Sequence, residues 1–103
     1  MDKAKLEAEV QAAVPKVAAA HLGLVATAAP EKIEKAVKSW AADMPFKSIA
    51  QELSRGMLEA HGGLAIVPEL AVLKATDEKT AIRMVDESVR VFLTANGVTE
   101  PTT

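Results

Sequence analysis

The amino-acid sequence predicts an all-α, single-domain fold of four main helices and one short helix. Half of the residues are hydrophobic, but the aromatic residues are limited to one tryptophan and two phenylalanines, and alanine dominates. Alanine has the highest helix propensity and lets helices approach closely. Apolar residues also recur at helical spacing in four segments, with proline or glycine near their ends. Because short connectors favour antiparallel neighbours, we expect an up-and-down bundle over residues 1–97 and a disordered tail over residues 98–103.

The first helix is predicted over residues 2–22, and Pro15 lies inside it. Pro15 falls on the side opposite the apolar stripe, where water can replace its lost hydrogen bond, so we expect a kink rather than a break. Gly23 then ends the helix. The apolar face consists of Leu6, Val10, Ala13, Val14, Val17 and Ala20.

The second helix is predicted over residues 30–43, because Pro30 suits the first position of a helix and another proline follows the segment. Trp40 is the largest side chain of the chain and lies at the centre of the inner stripe. We expect it to be mostly buried against Phe46 or Phe92. The stripe also contains Ile33, Val37, Ala41 and Met44.

The third helix is predicted over residues 47–61. Ser48 and Gln51 have the spacing of a capping box, in which each side chain bonds a free backbone N–H of the first turn. The pair Gly62-Gly63 is expected to end the helix, because glycine is typical just after a helix. The inner face consists of Phe46, Ile49, Leu53, Met57 and Ala60.

The short helix is predicted over residues 68–75, within the apolar run from Leu64 to Leu73. Pro68 suits its first position. Short apolar runs cannot be assigned from their periodicity alone, so a buried strand is the alternative for this stretch.

The last helix, predicted over residues 77–96, is the element around which we expect the fold to be organised. Thr76 is positioned to accept from the first free N–H groups, and Gly97 supplies a left-handed stop. Asp86 and Arg90 form an i,i+4 pair on the polar face. The apolar face consists of Ala81, Ile82, Val85, Ser88, Val89, Phe92 and Ala95.

The apolar face of this last helix is wider than one small bundle needs. Met84 and Val91 on one flank and Leu93 on the other extend it to roughly 200°, against somewhat more than ~100° for an ordinary amphipathic helix. We therefore expect a two-fold homodimer whose interface contains Met84, Val91, Phe92 and Leu93. Cover from the run Leu64 to Leu73 within the same chain is the competing explanation.

Charge and composition argue against several classes of function, although a local charged patch stays an alternative. The net charge of −2 gives no overall field for nucleic acid or an anionic membrane. The absence of cysteine excludes disulfides and thiolate metal sites. The most apolar stretch is shorter than the ~20 residues that span a bilayer, and the first residues lack the apolar core of a secretory signal. We expect a cytoplasmic protein that makes no membrane contact and has no cofactor.

Three residues are weak candidates for chemistry: His21, His61 and Glu69. Each histidine lies just before a glycine that ends a predicted helix, where an imidazole can satisfy terminal carbonyls. The functional alternative is that both imidazoles face one cavity as ligands to haem or a metal, with Glu69 as a general base beside them. Glu69 also suits the first turn of a helix without any function. We expect no catalytic residue and no metal site.

The expected function is a small non-enzymatic interaction protein, an adaptor or inhibitor of a larger protein, that acts as a homodimer. No nucleophile elbow, Walker loop or dinucleotide motif is present. One alternative is a DNA-binding regulator that uses Phe46 to His61 as a helix-turn-helix, with Gly56 in the turn. Its recognition segment Met57 to His61 lacks the Arg, Lys, Asn or Gln that reads bases, so nucleic acid is not the expected partner. The other alternative is a small-molecule or haem-binding protein that uses His21 and His61.

Overall fold

The computed structural model describes residues 2–25 and 27–100, and these residues form six α-helices. No strand occurs within these two ranges, so the all-α, single-domain prediction is confirmed and the strand alternative for the run Leu64 to Leu73 is wrong. None of the helices formed by these residues is both long and apolar enough to cross a membrane. The helices are α1 (Lys3–His21), α2 (Pro30–Asp43), α3 (Phe46–Met57), α4 (Gly63–Ile66), α5 (Pro68–Thr76) and α6 (Glu78–Ala95).

Helix α1 begins at a side-chain cap and passes through its proline. The Asp2 carboxylate accepts hydrogen bonds from the N–H groups of Ala4 and Lys5. Pro15 lies inside the helix without ending it, as predicted. Gly23 follows with a φ of 75°, a left-handed conformation that glycine adopts without steric cost. The predicted end of the first helix is thereby confirmed.

Helix α6 is the centre of the packing. It contacts α1, α3 and α5, and α1 also contacts α3, whereas α2 packs chiefly on α1. The expectation that the last helix organises the fold is confirmed, although Ile82 and Ala95 of its predicted apolar face are exposed. The up-and-down order of the helices stays a prediction. The fully buried larger side chains include Leu6, Val10, Val14, Val37, Ile49, Leu53, Met57, Leu70, Val85, Val89 and Leu93.

The cap of α6 is Asp77, and the prediction of Thr76 was wrong. One Asp77 oxygen accepts from the Thr80 N–H (3.3 Å) and the other accepts from the Thr80 hydroxyl (2.6 Å). Thr76 is instead the last residue of α5, and its hydroxyl donates to the carbonyl of Val72 (2.9 Å). Because a single residue separates α5 from α6, Thr76 is still part of the preceding helix and cannot cap the next one.

Helix α3 starts earlier and ends earlier than predicted. Pro45 precedes its first residue, and no side-chain hydrogen bond caps it, so the capping box of Ser48 was wrong. The helix ends at Met57, because the chain folds back on itself before α4. A Cβ atom at Gly62 or Gly63 would overlap the backbone of Gly56 or Met57, so this close return requires glycine at both positions.

The segment after α6 packs against the domain. Gly97 has a φ of 80° and ends the helix as predicted. Val98 is buried, and its N–H donates to the carbonyl of Leu93 (2.9 Å). The prediction of a disordered tail is therefore wrong at Val98, because the left-handed glycine turns the chain back onto the core. Residues 101–103 of that predicted tail lie outside the described residues.

The predicted interface residues of α6 lie mostly inside the domain. Met84, Phe92 and Leu93 are buried, and only Val91 is exposed, to 55%. Helices α1, α3 and α5 of the same chain contact α6 and account for the burial of Met84, Phe92 and Leu93. The homodimer stays a prediction, and Val91 is the one of its four predicted interface residues that lies on the surface of a single chain.

Candidate functional site

A groove of about 340 Å³ brings His21 and His61 together. Its walls come from the second half of α1, the end of α3, the turn after it, and α4. The hypothesis that both imidazoles face one cavity required this arrangement. The groove is lined by Lys16, Val17, Ala20, His21, Gly56, Glu59, His61, Gly62, Ala65 and Ile66.

Small residues give this groove its space. Ala20, Gly56, Gly62 and Ala65 contribute little or no side chain, so much of the wall is backbone or methyl groups. Helices α1 and α3 also approach closely here, because a Cβ atom at Gly56 would lie 3.0 Å from the Val17 side chain. The groove is therefore a feature of the helix packing itself.

His21 joins three helices at one edge of the groove. Its Nε2 atom lies 3.0 Å from a carboxylate oxygen of Glu52 on α3. Its ring centroid lies 4.9 Å from that of Trp40 on α2, at a tilt of 33°. The Trp40 indole N–H donates to the sulfur of Met44 (2.9 Å). His21 thus has a positioning role in the fold, whatever the groove binds.

Trp40 is only partly buried, and its aromatic neighbour is His21. The prediction that it packs mostly buried against Phe46 or Phe92 was wrong. Because α2 packs chiefly on α1, its aromatic ring meets the end of α1, where His21 lies. Phe46 instead lies under the guanidinium of Arg90, 5.8 Å from the ring centroid.

Glu69 does not belong to the groove. It lies in the first turn of α5, directly after Pro68, and is exposed. The hypothesis that Glu69 lines a cavity with the two histidines was wrong, because the helix start at Pro68 keeps the carboxylate in water. A carboxylate that does border the groove is Glu59, which pairs loosely with Arg55 at 3.7 Å.

The predicted recognition helix for DNA is not formed. Helix α3 continues through Gly56 and ends at Met57, so the glycine expected in the turn lies within the helix. The residues from Leu58 to Gly62 form turns. The segment Met57 to His61 therefore cannot enter a major groove as a helix, and the helix-turn-helix reading loses its second element.

Glu52 contacts His21 from outside the groove lining, and the sequence did not reveal this contact. It pairs with a histidine about thirty positions earlier in the chain, and helical periodicity assigns faces within one helix only. The two imidazoles of the groove therefore differ in their surroundings. His21 contacts the Glu52 carboxylate and the Trp40 ring, whereas His61 lies in an exposed turn.

The chain matches none of the protein-family models, curated proteins or solved structures with which it was compared. The groove offers two imidazoles, the amine of Lys16, the carboxylate of Glu59 and apolar contacts from Val17 and Ile66. Within residues 2–25 and 27–100, no three His, Asp or Glu side chains lie close enough to hold a metal ion. The arrangement is suited to hydrogen bonding and apolar contact.

Proposed function

We propose that the protein is a small non-enzymatic binding protein, and that a short segment of a larger protein occupies the groove of His21 and His61. The observation that supports this proposal is the exposure of Ile66 (41%) in the wall of the groove. A large aliphatic side chain is thus left in water beside several polar groups. Apolar area with a few convergent hydrogen-bonding groups is the usual composition of a binding site.

The size of the groove favours a short peptide segment. Its volume of about 340 Å³ is near the lower end of the ~300–1,000 Å³ that is usual for ligand pockets. One or two side chains of a partner would fill it, with apolar atoms against Ile66 and Val17. Each Å² of apolar surface that is removed from water contributes roughly 25 cal/mol of favourable transfer free energy. The imidazoles would fix the orientation of the partner's backbone or polar groups.

The test compares a substitution in the wall of the groove with the same substitution at an exposed position outside it. Ile66→Glu places a charge in the groove wall, and Val72→Glu places the same charge on α5, where the side chain is 53% exposed and outside the groove. Tagged wild type and both variants are used to capture partners from the native source, and partners are quantified by mass spectrometry. We expect one stoichiometric partner with wild type and Val72→Glu, and its loss with Ile66→Glu.

Both variants must first show the helical circular dichroism and thermal midpoint of the wild type. Equal recovery of the partner by all three proteins would contradict the assignment to the groove. A second copy of the chain is one possible partner, and light scattering of the purified protein distinguishes that case by its mass. If the measured mass corresponds to two chains, the occupant of the groove is a second copy and the protein acts as a homodimer.

A small-molecule or haem ligand is the second candidate, because the groove brings both histidines to one place. For His21 to ligate through Nε2, its contact with Glu52 at 3.0 Å would have to break. Haem titration of the purified protein tests this candidate. A Soret shift that is lost in His21→Ala and in His61→Ala would support it, and an unshifted spectrum of the wild type would count against it.

A further inference from the structure

A second groove, of about 530 Å³, lies between α3 and α6 and is distinct from the histidine groove. Phe46, Lys47 and Ser54 line it from α3, and Asp86 and Arg90 line it from α6. The chain returns to this groove after α6, because Glu100 lines it as well.

Arg90 contacts three other residues that line this groove. Its Nε donates to the Asp86 carboxylate (3.1 Å), and its guanidinium carbon lies 5.8 Å from the centroid of the Phe46 ring. Its Nη1 donates to the Glu100 carboxylate (2.6 Å). The hydrogen bond to Glu100, followed by that to Asp86, raises the pKa of Arg90. Asp86 and Phe46 orient the guanidinium, while Glu100 accepts from Nη1 and lines the same groove.

Ser54 is another polar residue that lines this groove. Its hydroxyl oxygen is buried, and no hydrogen-bond partner for it occurs in the part of the chain that the structure describes. A buried hydroxyl without a partner is unfavourable, and each such group calls for an explanation.

We propose that the groove between α3 and α6 is a binding site for a carboxylate, and that Glu100 occupies this site as an internal competitor. The proposal is independent of the function assigned to the histidine groove. A guanidinium binds a carboxylate through two parallel N–H donors, and orientation of the arginine by other residues makes such recognition specific.

The charges of the groove favour a ligand with a single negative charge. With Glu100 in place, Lys47 and Arg90 are balanced by Asp86 and Glu100. When Glu100 leaves, the groove carries one uncompensated positive charge. A carboxylate from outside the chain restores the balance and takes over the same Nη1 donor. A dianion such as phosphate would not restore the balance, because it would leave the groove with excess negative charge beside Asp86.

Glu100 can exchange with such a ligand because its ion pair is accessible to water. The side chains of Arg90 and Glu100 are 43% and 60% exposed. Exposed ion pairs favour the paired state over the open state by a factor of roughly 1.5–5. Internal competition of this strength lowers the apparent affinity for an external carboxylate by roughly two- to sixfold.

The experiment follows the arginine side-chain Nε–Hε signals of the 103-residue chain by NMR. The chain has three arginines, at positions 55, 83 and 90, so Arg83 on the same helix serves as an internal control. Wild type and Glu100→Gln are titrated with sodium propionate at constant ionic strength. Among the arginine signals we expect a saturable shift at Arg90 only, accompanied by shifts of the backbone amides near it, with a dissociation constant roughly two- to sixfold lower in Glu100→Gln. Arg90→Lys, which keeps the charge and removes the fork, should abolish the saturable shift seen at the neighbouring backbone amides.

A capped tripeptide with the sequence of residues 99–101 distinguishes the two sources of a carboxylate. Tighter binding of this peptide than of propionate would assign the site to an acidic side chain of a protein, and equal binding would assign it to a small carboxylate. The same peptide with glutamine in place of glutamate should not bind. The proposal is overturned if Arg90 of Glu100→Gln shows no saturable shift with either probe, or if Arg83 shifts equally.

Discussion

Asp77 is the residue whose environment most clearly links pH to stability. The hydrogen bond from the Thr80 hydroxyl, followed by that from the Thr80 N–H, lowers the pKa of Asp77 below its ordinary value of 3.8. A carboxyl with a lowered folded-state pKa stabilises the fold above the unfolded-state pKa, and this contribution is lost as pH falls through the folded-state pKa. The charge of Asp77 therefore supports the start of α6 at neutral pH and stops doing so in acid.

We predict that Asp77→Asn lowers the thermal midpoint at pH 7 and that this difference from wild type shrinks once the pH falls below about 4. Asparagine keeps an acceptor for the cap and removes only the charge. Thermal unfolding followed by circular dichroism between neutral and acidic pH measures the difference. Thr80→Val removes the hydroxyl donor and should make the pH dependence of the Asp77 substitution weaker. A difference that grows as the pH falls would contradict the assignment.

Trp40 is the only tryptophan, so its fluorescence reports on the contact with His21. We predict that His21→Ala shifts the Trp40 emission to longer wavelength, because the ring that lies 4.9 Å away is removed and water replaces it. The loss of stability should be about 1 kcal/mol, since the pair with Glu52 is partly exposed and screened by solvent. Urea unfolding measures this loss. His61→Ala is the matched control and should leave the emission unchanged, and an unchanged spectrum for His21→Ala would place the tryptophan elsewhere.

The side chains of the candidate site were only partly predictable at the level of single residues. The two histidines were singled out because each precedes a glycine at a helix end, and the structure does place them in one groove. Glu52 was missed and Glu69 was misplaced. Periodicity identifies the face of a helix on which a residue lies, but it does not determine which residue of a distant helix lies opposite.

At the scale of elements, the turn between α3 and α4 is the most constrained local structure. We predict that Gly63→Ala destabilises the fold by about 1–3 kcal/mol, because the added Cβ would overlap the backbone of Met57, which cannot move aside easily. Gly97→Ala is the comparison. There the Cβ would meet the flexible end of Lys38, and the left-handed φ of 80° remains as the main penalty, about 1 kcal/mol. Urea unfolding measures the loss of stability in both variants. A larger loss for Gly97→Ala than for Gly63→Ala would contradict this account.

Helix boundaries were predictable where one residue decides them. Pro30 and Pro68 begin helices, and Gly23 and Gly97 end them, as their local conformational preferences indicate. The end of α3 was not predictable in this way. It depends on the close return of the chain over Gly56, which is a contact between parts of the backbone that sequence spacing does not reveal.

At the scale of the whole molecule, α6 buries seven residues against its neighbours, whereas α2 buries Ile33 and Val37 alone. By the same measure α1 buries seven residues and α3 buries five, so the stability of the domain depends on α1, α3 and α6 more than on α2. The sequence identified the apolar face of α6 in part: Met84 and Leu93 on its flanks are buried, whereas Ile82, Val91 and Ala95 are exposed. Whether such a face meets the same chain or another copy depends on how many helices surround it, and the sequence pattern is identical in both cases.

This distinction leads to opposite expectations for two substitutions on α6. Met84 is buried, so Met84→Glu should destabilise the domain by roughly 2–5 kcal/mol, through lost apolar packing and a carboxylate without partners. Val91 is 55% exposed, so Val91→Glu should change stability by less than about 0.5 kcal/mol. Urea unfolding and light scattering of both variants test this pair of expectations at several protein concentrations.

If the face of α6 were a dimer interface, both substitutions would instead yield folded monomers from a wild-type dimer. If three helices of the same chain cover it, Met84→Glu should lose helical structure at every concentration, and Val91→Glu should keep both the fold and the mass of the wild type. A dimer found in wild type and retained by Val91→Glu would have to use another surface, and the exposed side chains of Ile66 and Val72 would then be the next positions to substitute.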